Sequence, residues 1–519
     1  MKKLPFLLLC FCLAAPAYGQ TTFNHQYTLG FPYKVFTSVL PTDSCFYARG
    51  IITDTTGGTY KVGNLFVKLN LDGEVEYQKK LATAEKSYEA WLGDLAPTAD
   101  GGFVDACLAK DSTFKGTIIR YNNVGDTLFT SEFLHPYYPD EYFMFVAGLM
   151  ATPDNEYFFL SGIDGDTSDS YNGDIYLLKF DSTGALLENY IYEGSPTEVP
   201  RSMLLEPDGG VIVGAKSSNT GQVWQDYYSR AHVFKISSPG EIEWEYFTPA
   251  NQLFDMARDM VRAPDGGLVI ASGKGIEHDV NISTSILQWH PYLFKLNAAH
   301  ELEWGREFRG ARHAQGTSAV KVVSALDGSG YVATGRIIED YSIGVEVGGS
   351  WIFKASPEGD SLWARYYSFF DDILSFPHPW DLKATSDGGY VIVGETRPRP
   401  PDSPQLLRAW MMKVDEHGCL IPGCHLLDGV EETDISQAEL AIYPNPARDF
   451  LNFQLRGTAL PKGAQFRIVD ITGKTMKAFK AGNLADTYVV SVGSWPGGVY
   501  FLQYLMDEKV LRSKKFIKH

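Results

Sequence analysis

Cysteine is scarce: six residues in 519, two of them, Cys10 and Cys12, within the first twenty. The four that follow, Cys45, Cys107, Cys419 and Cys424, allow two bridges at most. No stretch beyond residue 20 is apolar for long enough to cross a bilayer as a helix. Sustained helical periodicity is missing as well. So are the signatures Gly-x-Ser-x-Gly, His-Glu-x-x-His and Gly-Lys-Ser/Thr, which leaves no catalytic residue to name from motifs. Basic charge is short in the middle of the chain. Residues 437–519 hold twelve Lys and Arg against six Asp and Glu; without them and Lys2 and Lys3, thirty-one basic residues face fifty-seven acidic ones. Such a surface repels nucleic acid and anionic lipid, so no nucleic-acid partner is expected. The asymmetry marks a boundary near residue 437.

What is present begins with an export signal. Lys2 and Lys3 precede an apolar run from Phe6 to Leu13, and Ala17-Tyr18-Gly19 has the small-x-small pattern of a cleavage site. Residues 1–19 therefore read as a secretory signal peptide, and export permits disulfides. Cys419 and Cys424 bracket the turn sequence Leu-Ile-Pro-Gly and are expected to pair. A metal reading there is incomplete, with only His425 nearby.

Residues 20–427 carry an internal repeat of about sixty residues. Asp208-Gly-Gly-Val-Ile-Val-Gly214 returns as Asp265-Gly-Gly-Leu-Val-Ile270 and Asp387-Gly-Gly-Tyr-Val-Ile-Val-Gly394. Shorter or looser copies start at Asp100, Asp154, Asp327 and Asp43. Each is followed by a basic residue in an apolar run: Lys68, Arg120, Lys179, Lys235, Lys295, Lys354 and Lys413. An aromatic segment follows, as at Trp244, Trp304 and Trp363. Each unit reads as four short strands, a to d. Asp-Gly-Gly is the turn from a to b, because glycine tolerates positive φ. Four-stranded units repeated radially make a β-propeller, and seven copies suit a closed ring. The last unit lacks an aromatic strand d. Phe23 to Leu29 resembles one, and is expected to supply it from the other end of the chain. A basic residue at equivalent places in every unit points to architecture, with Lys235 pairing with Asp208.

Function in such a scaffold is expected in the long, varied d–a and b–c loops. They carry Trp224, Tyr227, Tyr228 and Trp289, with Trp380 just before strand a of the last unit. Flat rings stack on sugars or clamp peptides; they also pack loops together. Six positions before each turn aspartate stand Thr37, Asp94, Gly148, Ser202, Asp259, Lys321 and Asp381. Asp259 and Asp381 there are candidates for binding a ligand or cation, or for acid and base work. Trp351 and Trp410 align with Tyr292 and His232, which reads as core. The loop from Asp164 to Asp174 is rich in oxygen donors, so calcium is a possible cofactor, but its spacing misses the EF-hand pattern and a solvated loop fits better.

The stretch 428–436 reads as a linker. Beyond it Tyr443-Pro444-Asn445-Pro446 opens a new pattern of alternating strands, with a hairpin turn through Asp470, Gly473 and Lys474. Gly498 and Tyr500 lie in a further strand, and Lys515 in the last. A small antiparallel β-sandwich is expected over 437–519. In the order of these motifs the segment resembles the type A C-terminal sorting domain of the type IX secretion system. That resemblance implies passage through the periplasm and outer membrane of a Gram-negative envelope. Its implied partners are the translocon and sortase, with attachment to lipopolysaccharide for some cargo. The repeats resemble uncharacterised regions fused to such domains, which implies no activity. The expectation is an exported binding module for a glycan or a protein. The alternatives are a polysaccharide hydrolase or lyase on the same scaffold, and a structural component of the envelope.

Overall fold

The computed structural model describes residues 20–54, 61–83, 85–111, 113–134, 143–164, 173–192, 197–218, 229–237, 240–250, 254, 256–277, 287–308, 315–338, 348–370, 374–397, 407–421, 424–427, 439–456, 464–480, 487–506 and 509–519. The expected signal peptide, the linker 428–436 and most of the acidic loop after Asp164 lie outside them. Among the described residues nearly all regular structure is β, and no helix is long and apolar enough to cross a membrane.

The repeat folds into consecutive antiparallel units with strand order a-b-c-d. The first is Lys34–Pro41, Cys45–Asp54, Lys61–Asn70 and Val75–Leu81. In the second, strand a is broken into Ser87–Glu89 and Ala96–Pro97, both paired with Phe103–Lys110. The next three start at Phe143–Ala151, Thr197–Leu205 and Asp259–Arg262. Then follow Gln315–Ser324 to Ser361–Phe370, and Leu374–Ala384 to Arg408–Val414. Phe23–Tyr27 pairs antiparallel with Arg408–Val414, Phe23 opposite Lys413 and Tyr27 opposite Ala409. The first strand among the described residues is thus strand d of the last unit.

Apolar packing ties each unit to the next. Phe66 of the first unit packs with Phe103 and Tyr121 of the second, Leu160 of the third with Val213 of the fourth, and Ile352 with Ile392 across the last two. One cluster joins Phe36 and Val67 of the first unit to Val391 and Met411 of the last, so the series returns to its start. The fold is a β-propeller.

The recurring polar residues have local reasons. Asp208 Oδ1 accepts the Gly210 N–H at 2.9 Å, Gly209 takes φ of 86°, and Lys235 Nζ pairs with Asp208 Oδ2. Lys295 and Asp265, Lys413 and Asp387, and Arg120 and Asp100 repeat the pair. Lys179 uses Glu156 instead, and Lys68 uses Glu76. The architectural reading of these bases is the observed one. Trp410, Trp351, Tyr292 and His232 are buried, as their alignment implied. The strand-d aromatics serve the following unit: a Cβ on Gly240 would meet the Tyr190 ring, and one on Gly73 the Phe23 ring.

The C-terminal segment forms two sheets. Glu439–Tyr443, Phe450–Arg456 and Thr487–Ser491 make one; Thr475–Lys480, Gln465–Asp470, Gly498–Met506 and Lys509–Lys518 make the other. Leu451, Phe453, Phe466, Tyr488, Leu502 and Phe516 from both sheets share one apolar cluster. Thr487–Ser491 also pairs in parallel with Ser361–Phe370, Tyr367 opposite Thr487 and Phe370 opposite Val490.

Candidate functional site

The innermost strands carry a recurring β-bulge, with register shifts at Phe36/Ser38, Val146/Gly148, Pro200/Ser202, Ala319/Lys321 and Pro379/Asp381. A bulge bends the strand and re-aims the side chains beside it. Lys321 and Asp381, just after two of these bulges, converge with Asp94, in the break of the second unit's strand a, and with Asp259, the first residue of Asp259–Arg262. Lys321 Nζ lies 3.0 Å from Asp94, 3.5 Å from Asp259 and 3.8 Å from Asp381. Lys383 Nζ lies 2.5 Å from Asp94 and 3.4 Å from Asp381. The sequence brought three aspartates and one lysine to this position. The second lysine, two residues beyond Asp381, was missed, although alternation along a strand puts it on the same face.

The aspartates are committed. Asp381 is fully buried and accepts the Val39 N–H at 2.9 Å, the Ser38 hydroxyl at 3.3 Å and its neighbour Leu382 N–H at 2.8 Å. Asp259 Oδ2 accepts the Val322 N–H at 3.0 Å. Burial alone would push the Asp94 carboxyl up, but the Lys321 and Lys383 charges hold it well below the usual carboxylate range. Burial opposes the Lys321 ammonium, yet Asp259, Asp94 and Asp381 push it well above its ordinary value. Burial raises Asp259. Asp259 and Asp381 therefore meet cations that the chain itself supplies. In the first unit Ser38, not Thr37, takes the equivalent place. Its a–b turn closes Thr42 N–H on Cys45 O, whereas Thr98 N–H closes on Gly102 O, so counting back from Asp43 overshoots by one residue.

Beside this plug lies an aromatic cluster. Trp380, the bulged residue, stacks on His378 with ring centroids 5.0 Å apart, and sits 5.8 Å from Trp91. Trp91 meets Tyr33 edge-on at 6.4 Å. All four side chains are partly exposed. Glu395, fully buried, accepts from Trp380 Nε1 at 3.4 Å and lies 3.5 Å from His378 Nδ1. Trp91 reaches this place because strand a of the second unit breaks at Ala90–Leu95. Arg49 braces the break: its guanidinium donates to the carbonyls of Ala90, Leu92 and Gly93, and its Nε lies 3.3 Å from Asp105. Trp380 was legible in the sequence; Trp91, Tyr33, His378 and Glu395 were not, since no repeat offset brings them together.

Trp224, Tyr227 and Tyr228 lie outside the described residues, as does the side chain of Trp289, whose strand is Leu287–Leu296. Cys419 and Cys424 are joined as a disulfide, Cα atoms 5.7 Å apart. Asp415, Cys419 and His425 bring donor atoms within 4.8 Å of one another. The Cys419 sulfur is bonded to Cys424, which leaves a carboxylate and an imidazole, too few to hold a metal tightly. In the sorting motif, Tyr443-Pro444 and Asn445-Pro446 are cis, and Asn445 Oδ1 accepts the Ile517 N–H at 3.0 Å. Asp470 Oδ1 accepts the Lys474 N–H at 3.0 Å around Gly473, whose φ is 82°. Gly498 and Tyr500 pair with Lys518 and Phe516, and Lys515 is exposed opposite Phe501.

Among curated proteins none is similar enough in sequence to match. Similar solved structures include the β-propeller domain of the Trilobed protease from Pyrococcus furiosus, 11% identical over 74% of this chain and 95% of that one, with TM-score 0.43. The acylaminoacyl peptidase of Pyrococcus horikoshii is 10% identical over 82% of this chain and 57% of its own, TM-score 0.41. The periplasmic gluconolactonase PpgL of Pseudomonas aeruginosa is 11% identical over 64% and 84%, TM-score 0.37. Residues 441–519 match the family model of the secretion system C-terminal sorting domain. That segment carries the type IX address, which directs the chain through the outer membrane to the cell surface or the extracellular space.

Proposed function

We propose that the chain is a surface-displayed or secreted glycan-binding module: a seven-bladed propeller over residues 20–427, joined by a linker to a sorting β-sandwich over 437–519. The units from Lys34–Pro41 to Arg408–Val414, with Phe23–Tyr27 as the closing strand, support that blade count. The ligand site in this reading is the patch of Trp91, Trp380, His378 and Tyr33. Partly exposed rings present flat apolar faces, and the buried Glu395 fixes the Trp380 indole from behind. Trp224, Tyr227, Tyr228 and Trp289 remain ligand-binding candidates on their residue type alone. No cofactor is assigned.

One observation carries binding over catalysis. Each aspartate of the converging strands has a lysine within 4 Å. Such a plug neutralises the acids a hydrolase or lyase needs free. The test is the purified full chain on an array of bacterial, plant and host glycans, with mass spectrometry of the supernatants. Binding without product, lost in Trp91→Ala and Trp380→Ala, is the expected result. Shortened glycans would overturn it in favour of the hydrolase or lyase. Silence across the array would move the search to protein ligands or an envelope scaffold.

A further inference from the structure

The sorting domain is seated on the propeller by contacts that begin at the start of the described chain. Gln20 donates its side-chain amide to Asp387 O, and its Oε1 accepts the Glu416 N–H at 3.2 Å. Thr21 O accepts from Lys413 Nζ at 2.8 Å, and Thr22 Oγ1 donates to Leu420 O at 2.8 Å. The Thr22 carbonyl then accepts from Tyr443 Oη at 3.0 Å. Tyr443 is the first residue of the sorting motif. The residues that lead into the closing strand thus bind the last unit on one side and the sorting motif on the other.

The second half of the seat is a strand edge. Strand d of a propeller unit leaves its outer edge without partners, and such an edge invites another strand. On Ser361–Phe370 that edge is filled by Thr487–Ser491 in parallel register. Packing supports the pairing: Val489 shares an apolar cluster with Tyr367, Leu420 and Trp410, and Phe450 packs against it. Tyr367 Oη donates to Gly418 O, which ties the same edge to the disulfide turn.

We infer that this seat is a folding-dependent clamp: the sorting domain is held non-covalently on the propeller, and only when residues 20–27 have closed the last unit. A chain whose closing strand is unpaired has no Thr22 carbonyl in place for Tyr443, and half of the seat is missing. The export address is then presented in a fixed orientation by folded cargo alone. A cut between the two parts leaves the sorting domain in place.

The experiment places a specific protease site within 428–436 of the full chain, cuts it, and follows both parts by size exclusion during dilution. The expected result is co-elution after cutting. Tyr443→Phe deletes the hydrogen bond to Thr22 O and raises the released fraction about fivefold, the effect of one such bond. Asn24→Ala deletes the bond from Trp410 Nε1 to Asn24 Oδ1, 2.7 Å long, which anchors the closing strand. It is expected to raise release as well, although it lies outside the sorting domain. Circular dichroism on both variants separates release from unfolding. Immediate separation of the wild-type parts would overturn the clamp. Folded Asn24→Ala protein that holds its sorting domain as tightly as the wild type would overturn its dependence on closure.

Discussion

Lys321 Nζ lies 3.0 Å from Asp94 Oδ1 although 227 positions separate the two residues in the chain. They belong to units that share no sheet, so the pair exists only when those units converge. Removing the ammonium leaves Lys383 alone against Asp94, Asp259 and Asp381. Lys321→Met is expected to cost about 2 kcal/mol, less than the ~3–5 kcal/mol of breaking a fully buried pair, because the Lys321 and Asp94 side chains keep 17% and 37% of their exposure. Urea unfolding at neutral pH checks this. Lys480→Met, at an exposed position of the sorting domain, is the control and should change stability by no more than about 0.5 kcal/mol.

The same pair sets a pH dependence. The native Asp94 carboxyl sits below its unfolded value of about 3.9 because Lys321 and Lys383 outweigh the effect of burial. A depressed carboxyl contributes stability that is fully present above the unfolded value and is lost as pH falls through the native one. Asp94→Asn is therefore expected to be less stable than wild type at pH 7. The gap should narrow below about pH 4, where the wild-type carboxyl starts to lose its advantage. Denaturation midpoints across pH 2.5 to 7 read both; a gap that widens on acidification would contradict the assignment.

The turn aspartates, the recurring bases and the missing strand d were legible in the sequence because each acts over a short, fixed offset. Asp208, Gly210 and Lys235 form one local arrangement, repeated with Asp265 and Asp387. The plug was half legible. The offset of six found Asp94, Asp259, Lys321 and Asp381, but opposite charges were read as a row of acids because spacing along one chain says nothing about separations between units. Thr37 was misaligned by a shorter turn, visible only in the Thr42–Cys45 closure. Trp91 was invisible because a strand broken at Ala90–Leu95 and braced by Arg49 leaves no pattern that counting detects.

Two glycines separate backbone strain from crowding. Gly209 has φ of 86° and open space where a Cβ would stand, so Gly209→Ala is expected to cost about 1–2 kcal/mol from conformation alone. Gly73 has φ of 77°, and its Cβ would lie 2.6 Å from the Phe23 ring. Gly73→Ala is expected to cost about 1–3 kcal/mol more, since Phe23 must move. Hydrogen exchange should place that extra loss on residues 23–27. Equal costs at the two glycines would mean that the closing strand yields freely.

The binding reading makes a sharper demand on Trp91 and Trp380. Their centroids are 5.8 Å apart, on the second and last units, so neither ring holds the other through a shared sheet. If both stack on one sugar, each alanine removes an aromatic contact of about 1 kcal/mol, and affinity falls about fivefold per ring. The double variant should lose less than the product of the two, because one ring left alone already orients the ligand poorly. Arg49→Met tests the scaffold beneath. It frees the carbonyls of Ala90, Leu92 and Gly93, so Trp91 should lose its place and binding should fall as in Trp91→Ala, with Trp380 untouched. Isothermal titration with the best array glycan reads all four proteins. Full affinity in Arg49→Met would show that Trp91 takes no part in the site.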